Sequence, residues 1–223
     1  MSFSLIIPAA ANKKRYQEEM PFVFSLNSKG ICYCVQAMQG LRLERFDHIY
    51  ITILKQHDLL YGISSMIEMQ LKRLGVCNAK VVVLEHETSC QAETVCQTIQ
   101  KESISGAIFV KDADSFFEGE ILPQNGIAVY PLERLSQVDP QHKSYVAVDD
   151  MGYITNTIEK RVIDHYFNAG GYGFENADVF CHYYQRYAGM EGLYLSHIAY
   201  AMLLDKQMFR PFRVEGYVDL RLR

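Results

Sequence analysis

An α/β fold built on a mixed, mainly parallel sheet flanked by helices is what the sequence predicts, and three observations predict it. Runs of β-branched and apolar residues alternate with helical stretches through residues 1–122, the pattern of βαβ units. From Pro123 onward the apolar runs shorten and read as hairpin-forming strands. The 223 residues are 49% hydrophobic, which suits one substantial core and hence a single domain over residues 1–223.

Each element follows in order. Phe3–Pro8 is an apolar run closed by proline, and a turn at Ser28-Lys29-Gly30 precedes a helix-like spacing of Ile31, Val35, Met38 and Leu41 over residues 31–43. His48–Leu54 is a strand buried on both faces, and residues 59–74 have helical periodicity that stops at Gly75. Residues 80–84 (KVVVL) form the next strand, residues 92–101 a helix, and residues 106–111 a strand that runs into Asp112 and Asp114. Shorter strands follow at 127–131, Ser144–Val148 and 153–159, with a turn at Asp150-Met151-Gly152. Helices are predicted at Ala177–Tyr187 and Leu195–Leu204, and a late strand at 209–214. In a parallel sheet, ligands bind beyond the carboxyl ends of the strands. The loops after Pro8, Leu84 and Lys111 are therefore expected to share one face.

The balance of 22 Lys and Arg against 26 Asp and Glu leaves a net charge of −4. No basic field points to nucleic acid or an anionic membrane, and no apolar run approaches the ~20 residues of a membrane-spanning helix. The opening MSFSLIIPAAANKKR has its charge after its apolar run, the wrong order for a secretory signal. Cys32 and Cys34 are too close together for a zinc knuckle, and no second pair faces them. Reduced core cysteines in a cytoplasmic protein are expected.

Five segments carry chemistry. A strand that ends in Asp112-x-Asp114 gathers carboxylates at the mouth of a sheet, where they meet a cation, a polar ligand or water. The loop Ala9-Ala10-Ala11-Asn12-Lys13-Lys14-Arg15 combines small residues with positive charge; it suits phosphate, or it is an ordinary strand-to-helix loop. In Ser89-Cys90-Gln91-Ala92-Glu93-Thr94-Val95, Thr88 or Ser89 is placed to cap the helix that starts near Ala92, and Gln91 has an amide able to read a base edge. Glu159-Lys160 offers a hydroxyl acceptor and a phosphate-binding cation. Shortly after it, Asn168-Ala169-Gly170-Gly171-Tyr172-Gly173-Phe174 permits close approach to a ligand, or forms a bulged strand with core aromatics. Asp219, far along the chain, is a further carboxylate able to join the Asp pair.

The order of these segments resembles that of the sugar-phosphate nucleotidylyltransferases, and the resemblance runs from Leu5 to Asp219. The loop matches the opening A-A-G-x-G-T-R, with Ala11 and Lys13 at the glycine positions and Arg15 on the family arginine. Phe22 stands where the family has the lysine of a P-K pair. SCQAETV is similar to T-x-G-x-A-E-T-V, Glu159-Lys160 to the family E-K pair, AGGYGF to its glycine–tyrosine element, and Gly216-Tyr217-Val218-Asp219 to W-x-D.

The resemblance implies a nucleotide-diphospho-sugar transferase-like (Rossmann-like) fold, with residues 1–122 as the nucleotide-binding half and 123–223 as the acceptor-binding half. It implies Mg²⁺ held by Asp114 and Asp219 with Asp112 as an alternate ligand. Ala10, Ala11, Asn12, Lys13, Lys14, Gln91, Ala92 and Glu93 would contact the nucleotide. Arg15 would bind the triphosphate, Lys160 the acceptor phosphate, and Glu159, Gly171 and Tyr172 the rest of the acceptor. The implied reaction couples a nucleoside triphosphate (CTP, UTP or dTTP) to a phosphorylated sugar or other small metabolite, releases pyrophosphate, and supplies activated precursors for surface polysaccharide. A glycosyltransferase using a nucleotide sugar and a non-catalytic nucleotide-binding protein remain as alternatives. No nucleic acid or membrane partner is expected, and a homo-oligomer is compatible with the sequence.

Overall fold

The computed structural model describes residues 2–10, 20–135 and 143–222. Ala11, Asn12, Lys13, Lys14 and Arg15, all expected at the nucleotide, lie outside the described residues. The first half runs β1 (Phe3–Pro8), α1 (Tyr33–Gln36), β2 (His48–Leu54), α2 (Lys55–Tyr61), α3 (Ile63–Arg73), β3 (Ala79–Leu84), α4 (Gln91–Glu102), β4 (Ala107–Lys111) and β5 (Ser115–Glu118). The second half runs β6 (Gly126–Pro131), β7 (Ser144–Val148), β8 (Ile154–Glu159), β9 (Tyr166–Phe174), α5 (Ala177–Tyr187), α6 (Leu195–Leu204), β10 (Arg210–Arg213) and β11 (Glu215–Asp219).

Among the described residues, nine strands form one sheet in the order β10-β6-β9-β4-β1-β2-β3, with β7 joined to β9 and β8 to β7. The run β3-β2-β1-β4 is parallel, while β9 lies antiparallel between β4 and β6. The chain moves outward from β1 through β2 to β3, then returns to place β4 on the opposite side of β1. That reversal opens a crevice at the carboxyl ends of β1 and β4, the usual ligand position in such sheets. Alternation along β1 serves both layers: Ile6 packs toward Val95 and Ile99 of α4, and Leu5 and Ile7 toward Val35, Ile63 and Ile67.

Three helical expectations change in detail. Residues 59–74 are two helices, because Gly62 takes a left-handed conformation (φ 63°) and donates its N–H to Asp58 O. The Asp58 carboxylate then accepts from Ser64 N at 2.7 Å and so caps the start of α3. The helix expected over 31–43 is a single turn, since the chain is drawn onto the sheet edge by the bridge between Leu41 and Gly119. Cys90, whose side chain makes no capping bond, precedes α4 in place of the expected Thr88 or Ser89. There Thr88 pairs with Thr94, and the Glu93 carboxylate reaches back to accept from Ser89 N and Oγ at 2.7 and 2.6 Å.

The glycine-rich segment 168–174 is a central strand, β9, and it is bulged. Ile127 pairs with Tyr172 but Val129 with Asn168, so four steps of β9 face two of β6. Asn168 Oδ1 accepts from Gly170 N and Gly171 N at 2.8 and 3.1 Å, satisfying donors that the bulge frees. A Cβ on Gly171 would stand 2.5 Å from the Phe109 ring and 3.0 Å from Ala128. Gly171→Ala is therefore expected to destabilise the protein by roughly 1–3 kcal/mol through overpacking, seen in urea unfolding as a lower midpoint at unchanged slope.

Candidate active site

The loops after β1, β3 and β4 do share one face. Pro8, Ala9, Ser89, Gln91, Asp112 and Asp114 line a cavity of about 420 Å³ at the carboxyl edge of the sheet. A second chamber of about 180 Å³ adjoins it and is lined by Lys143, Ser144, Glu159, Asn168, Tyr172 and Asp219, among others. Gln91, Asp112, Asp114, Tyr194 and Arg221 belong to both. The carboxylate loop is thus the wall between two rooms, one formed mainly by the first half of the chain and one by the second.

Lys111, the last residue of β4, shapes that wall. It is fully buried, and its ammonium donates to Asp112 O, Ser115 O and Ser115 Oγ at 2.9, 2.7 and 2.7 Å. Burial depresses its pKa to about 8, against the opposing pull of the Asp112 and Asp114 charges. The chain folds around this ammonium as a tight turn that points Asp112 and Asp114 into the cavities. Ser115 Oγ in turn donates to Ala169 O, and Asp112 N to Gly170 O, which ties the turn to the bulge of β9. Gly170 (φ 90°) must be glycine here, since its Cβ would meet Ser115 Oγ at 2.4 Å and Asp112 Oδ2 at 2.9 Å.

Asp112 accepts from Gln91 Nε2 at 2.6 Å. Burial, with the neighbouring Asp114 charge, pushes its carboxyl above the usual range. Asp219 arrives through a two-stranded antiparallel ribbon in which β11 pairs with β5, Asp219 opposite Ser115. Leu220 N then donates to Asp114 O at 2.9 Å. Burial alone would raise the Asp219 carboxyl, but Arg221 and Lys143 outweigh it and hold the group below its ordinary pKa. Lys143 Nζ lies 3.1 Å from Asp219 Oδ2, donates to Tyr217 Oη, and stands over the Tyr217 and Phe167 rings.

The other expected residues are placed as follows. Glu159 lines the second chamber and accepts from Ser196 Oγ; burial raises its carboxyl despite that bond. Lys160 is exposed, with its ammonium 5.5 Å from the Tyr194 ring centroid. Tyr172 is buried with its hydroxyl 3.4 Å from Ser144 Oγ, while Gly171 faces Phe109 and Phe117 in the core. Ala10 and Ala92 are core residues on the same side of the sheet. Glu93 is engaged with Ser89 and Gln97 along α4. Lys143 and Arg221 were not singled out in the sequence. Neither lies in a motif, and only β7 and the β5–β11 ribbon bring them to the carboxylates.

Among the described residues, no group of three or more His, Cys, Asp or Glu is arranged to hold a metal. The donor set nevertheless fits a hard divalent cation. Asp114 Oδ2 and Asp219 Oδ1 and Oδ2 converge on the cationic guanidinium of Arg221 at 3.4, 3.2 and 3.2 Å. Mg²⁺ is commonly held by one or two carboxylates, the remaining positions going to water and substrate phosphate.

The strand order, the bulged β9 and this edge crevice give the chain the nucleotide-diphospho-sugar transferase fold. Its structural neighbours are nucleotide-sugar pyrophosphorylases and nucleotidyltransferases. A nucleoside-diphosphate-sugar pyrophosphorylase from Vibrio cholerae matches with TM-score 0.76 at 16% identity, over 97% of this chain and 95% of that one. Inositol-1-phosphate CTP transferase from T. maritima matches with TM-score 0.73 at 18% identity, over 98% and 89%. UDP-glucose pyrophosphorylase complexed with UDP-glucose matches with TM-score 0.71 at 12% identity, over 99% and 94%. No family model and no curated protein matches the sequence. No helix among the described residues is long and apolar enough to cross a membrane.

Replacing Lys111 by Met would leave two buried acceptors, Ser115 O and Ser115 Oγ, without this donor, each costing about 1–3 kcal/mol. Since the variant no longer buries a charge, part of that cost is offset, and it is expected to lose roughly 2–4 kcal/mol of stability in urea unfolding. Equal or greater stability than the wild type would show that the ammonium does not hold the turn.

Proposed function

We propose that the protein is a Mg²⁺-dependent nucleotidylyltransferase that joins a nucleoside triphosphate to a phosphorylated small molecule and releases pyrophosphate. The observation that carries this reading is the convergence of Asp114 and Asp219 on one cation at the wall between two chambers. The residue 1–122 half would take the nucleotide and the 123–223 half the acceptor, so that their reacting phosphates meet at the wall. An acceptor phosphate oxygen attacks the α-phosphorus in line, a new P–O bond forms, and the bond to the β-phosphate breaks to release pyrophosphate. The attacking phosphate is already ionised, so no general base is needed, and the protein contributes positioning and charge.

Asp114 and Asp219 would hold Mg²⁺, with Asp112 nearby; when bound, the ion neutralises phosphate charge. Arg15, with Lys13, Lys14, Ala11, Asn12 and the Gln91 amide, would engage the nucleotide. Glu159, Tyr172 and Lys143 line the second chamber, where they would meet the acceptor, whereas Lys160 is exposed with its ammonium over the Tyr194 ring. CTP, UTP and dTTP are the nucleotides to test, and phosphates of sugars and polyols the acceptors. A cytoplasmic role in making activated precursors, such as those for surface polysaccharide, belongs to the same reading.

Pyrophosphate release from each triphosphate with Mg²⁺ and a panel of sugar and polyol phosphates tests the proposal. Asp114→Asn and Asp219→Asn should each lower turnover by at least about a hundredfold while the protein stays folded at the assay temperature by circular dichroism. Near-normal release from both variants would refute the mechanism. Lys143→Ala is expected to raise the acceptor KM roughly tenfold, as lost charge-assisted hydrogen bonds would, while the nucleotide KM moves little in steady-state kinetics.

A further inference from the structure

Among the described residues, the wall and the second chamber carry four carboxylates, Asp112, Asp114, Glu159 and Asp219, and three cations, Lys111, Lys143 and Arg221. Their formal charge is therefore only about −1 before any ligand arrives. A divalent ion added between Asp114 and Asp219 would leave positive charge in excess and would meet a guanidinium already seated there. An ion there and the guanidinium compete for the same carboxylate oxygens.

The three cations differ in their freedom. Lys111 is fully buried and its three donors are all used. Lys143 stands over the Tyr217 and Phe167 rings, which pack edge-to-face, and only 14% of its side chain is exposed. Arg221 lies in the turn Leu220–Leu222 at the edge of the site, has 42% of its side chain exposed, and lines both chambers. Its bonds to Asp114 and Asp219 are long for charge-assisted contacts, at 3.2 to 3.4 Å. A planar guanidinium also matches phosphate in a bidentate way.

We infer that Arg221 is an internal counter-cation: it holds the position between Asp114 and Asp219 in the ligand-free protein, leaves it when a divalent cation binds, and then contacts phosphate in the first chamber. The inference rests on the reading of Asp114 and Asp219 as the metal pair. It gives Arg221 two effects of opposite sign, which a merely structural residue would not have. Arginine opposes the metal alone and assists the metal with polyphosphate.

The test is a Mn²⁺ titration followed by electron paramagnetic resonance, on the wild type, Arg221→Gln, and Arg221→Gln combined with Asp219→Asn. Arg221→Gln is expected to bind Mn²⁺ alone about tenfold more tightly than the wild type, or about 1.4 kcal/mol. It should bind inorganic tripolyphosphate in saturating Mn²⁺ several-fold less tightly. Its melting temperature should fall without metal, through the bared carboxylates, and recover with Mn²⁺. Unchanged or weaker Mn²⁺ binding by Arg221→Gln, with binding lost in the double variant, overturns the role of Arg221 and leaves the metal pair standing. Unchanged binding in the double variant overturns both. Tripolyphosphate affinity that holds or rises in Arg221→Gln also overturns the inference.

Discussion

A single buried ammonium organises this site. Lys111 gives up its hydration at the end of an otherwise apolar strand, and the loss is offset because Asp112 and Ser115 turn three oxygens onto its ammonium. The turn that results cannot relax without stranding the charge, so Asp112 and Asp114 are aimed into the cavities by necessity. The ammonium also lies under those carboxylates and softens the cost of crowding them. Ser115 then passes the constraint to Ala169, so the bulge of β9 is fixed by the same charge.

From that anchor the remaining parts arrive by topology. The return from β3 to β4 creates the crevice, β9 inserts antiparallel beside β4 to build the second chamber, and the β5–β11 ribbon carries in Asp219. Each depends on a close backbone approach. Gly170 and Gly171 share that duty, one toward the carboxylate turn and the other toward Phe109 and Phe117. Nucleotide and acceptor would accordingly meet at a partition made from a turn rather than in an open cleft.

The strands with dense β-branched residues, such as His48–Leu54, were fully legible in the sequence, because burial on both faces leaves a continuous apolar run. So were Ala177–Tyr187 and Leu195–Leu204, where helical spacing spans several turns. β9 was hidden because glycine carries little strand signal, although its bulged-strand reading was open from the start. Gly62 split a helix whose periodicity ran straight through it, since a left-handed residue leaves the spacing of the flanking side chains nearly intact. In the site, acidic residues in short motifs could be found by pattern. Lys143 and Arg221 could not, because their meaning comes only from strand pairing across the chain. Lys111 did leave a trace: a lysine that closes an apolar strand just before two carboxylates has to find a buried partner.

The β5–β11 ribbon also sets an order of assembly. Ser115 and Asp219 are partners across more than a hundred residues, so their pairing is among the last long-range contacts the chain can make. During synthesis Asp114 emerges while its counterpart is still unmade, and the growing chain holds only one member of the carboxylate pair. The carboxylate pair comes into being only once the strands of the second half have docked and β11 has closed over β5. The meeting of Asp114 and Asp219 at Arg221 is in this sense a report that the fold is finished.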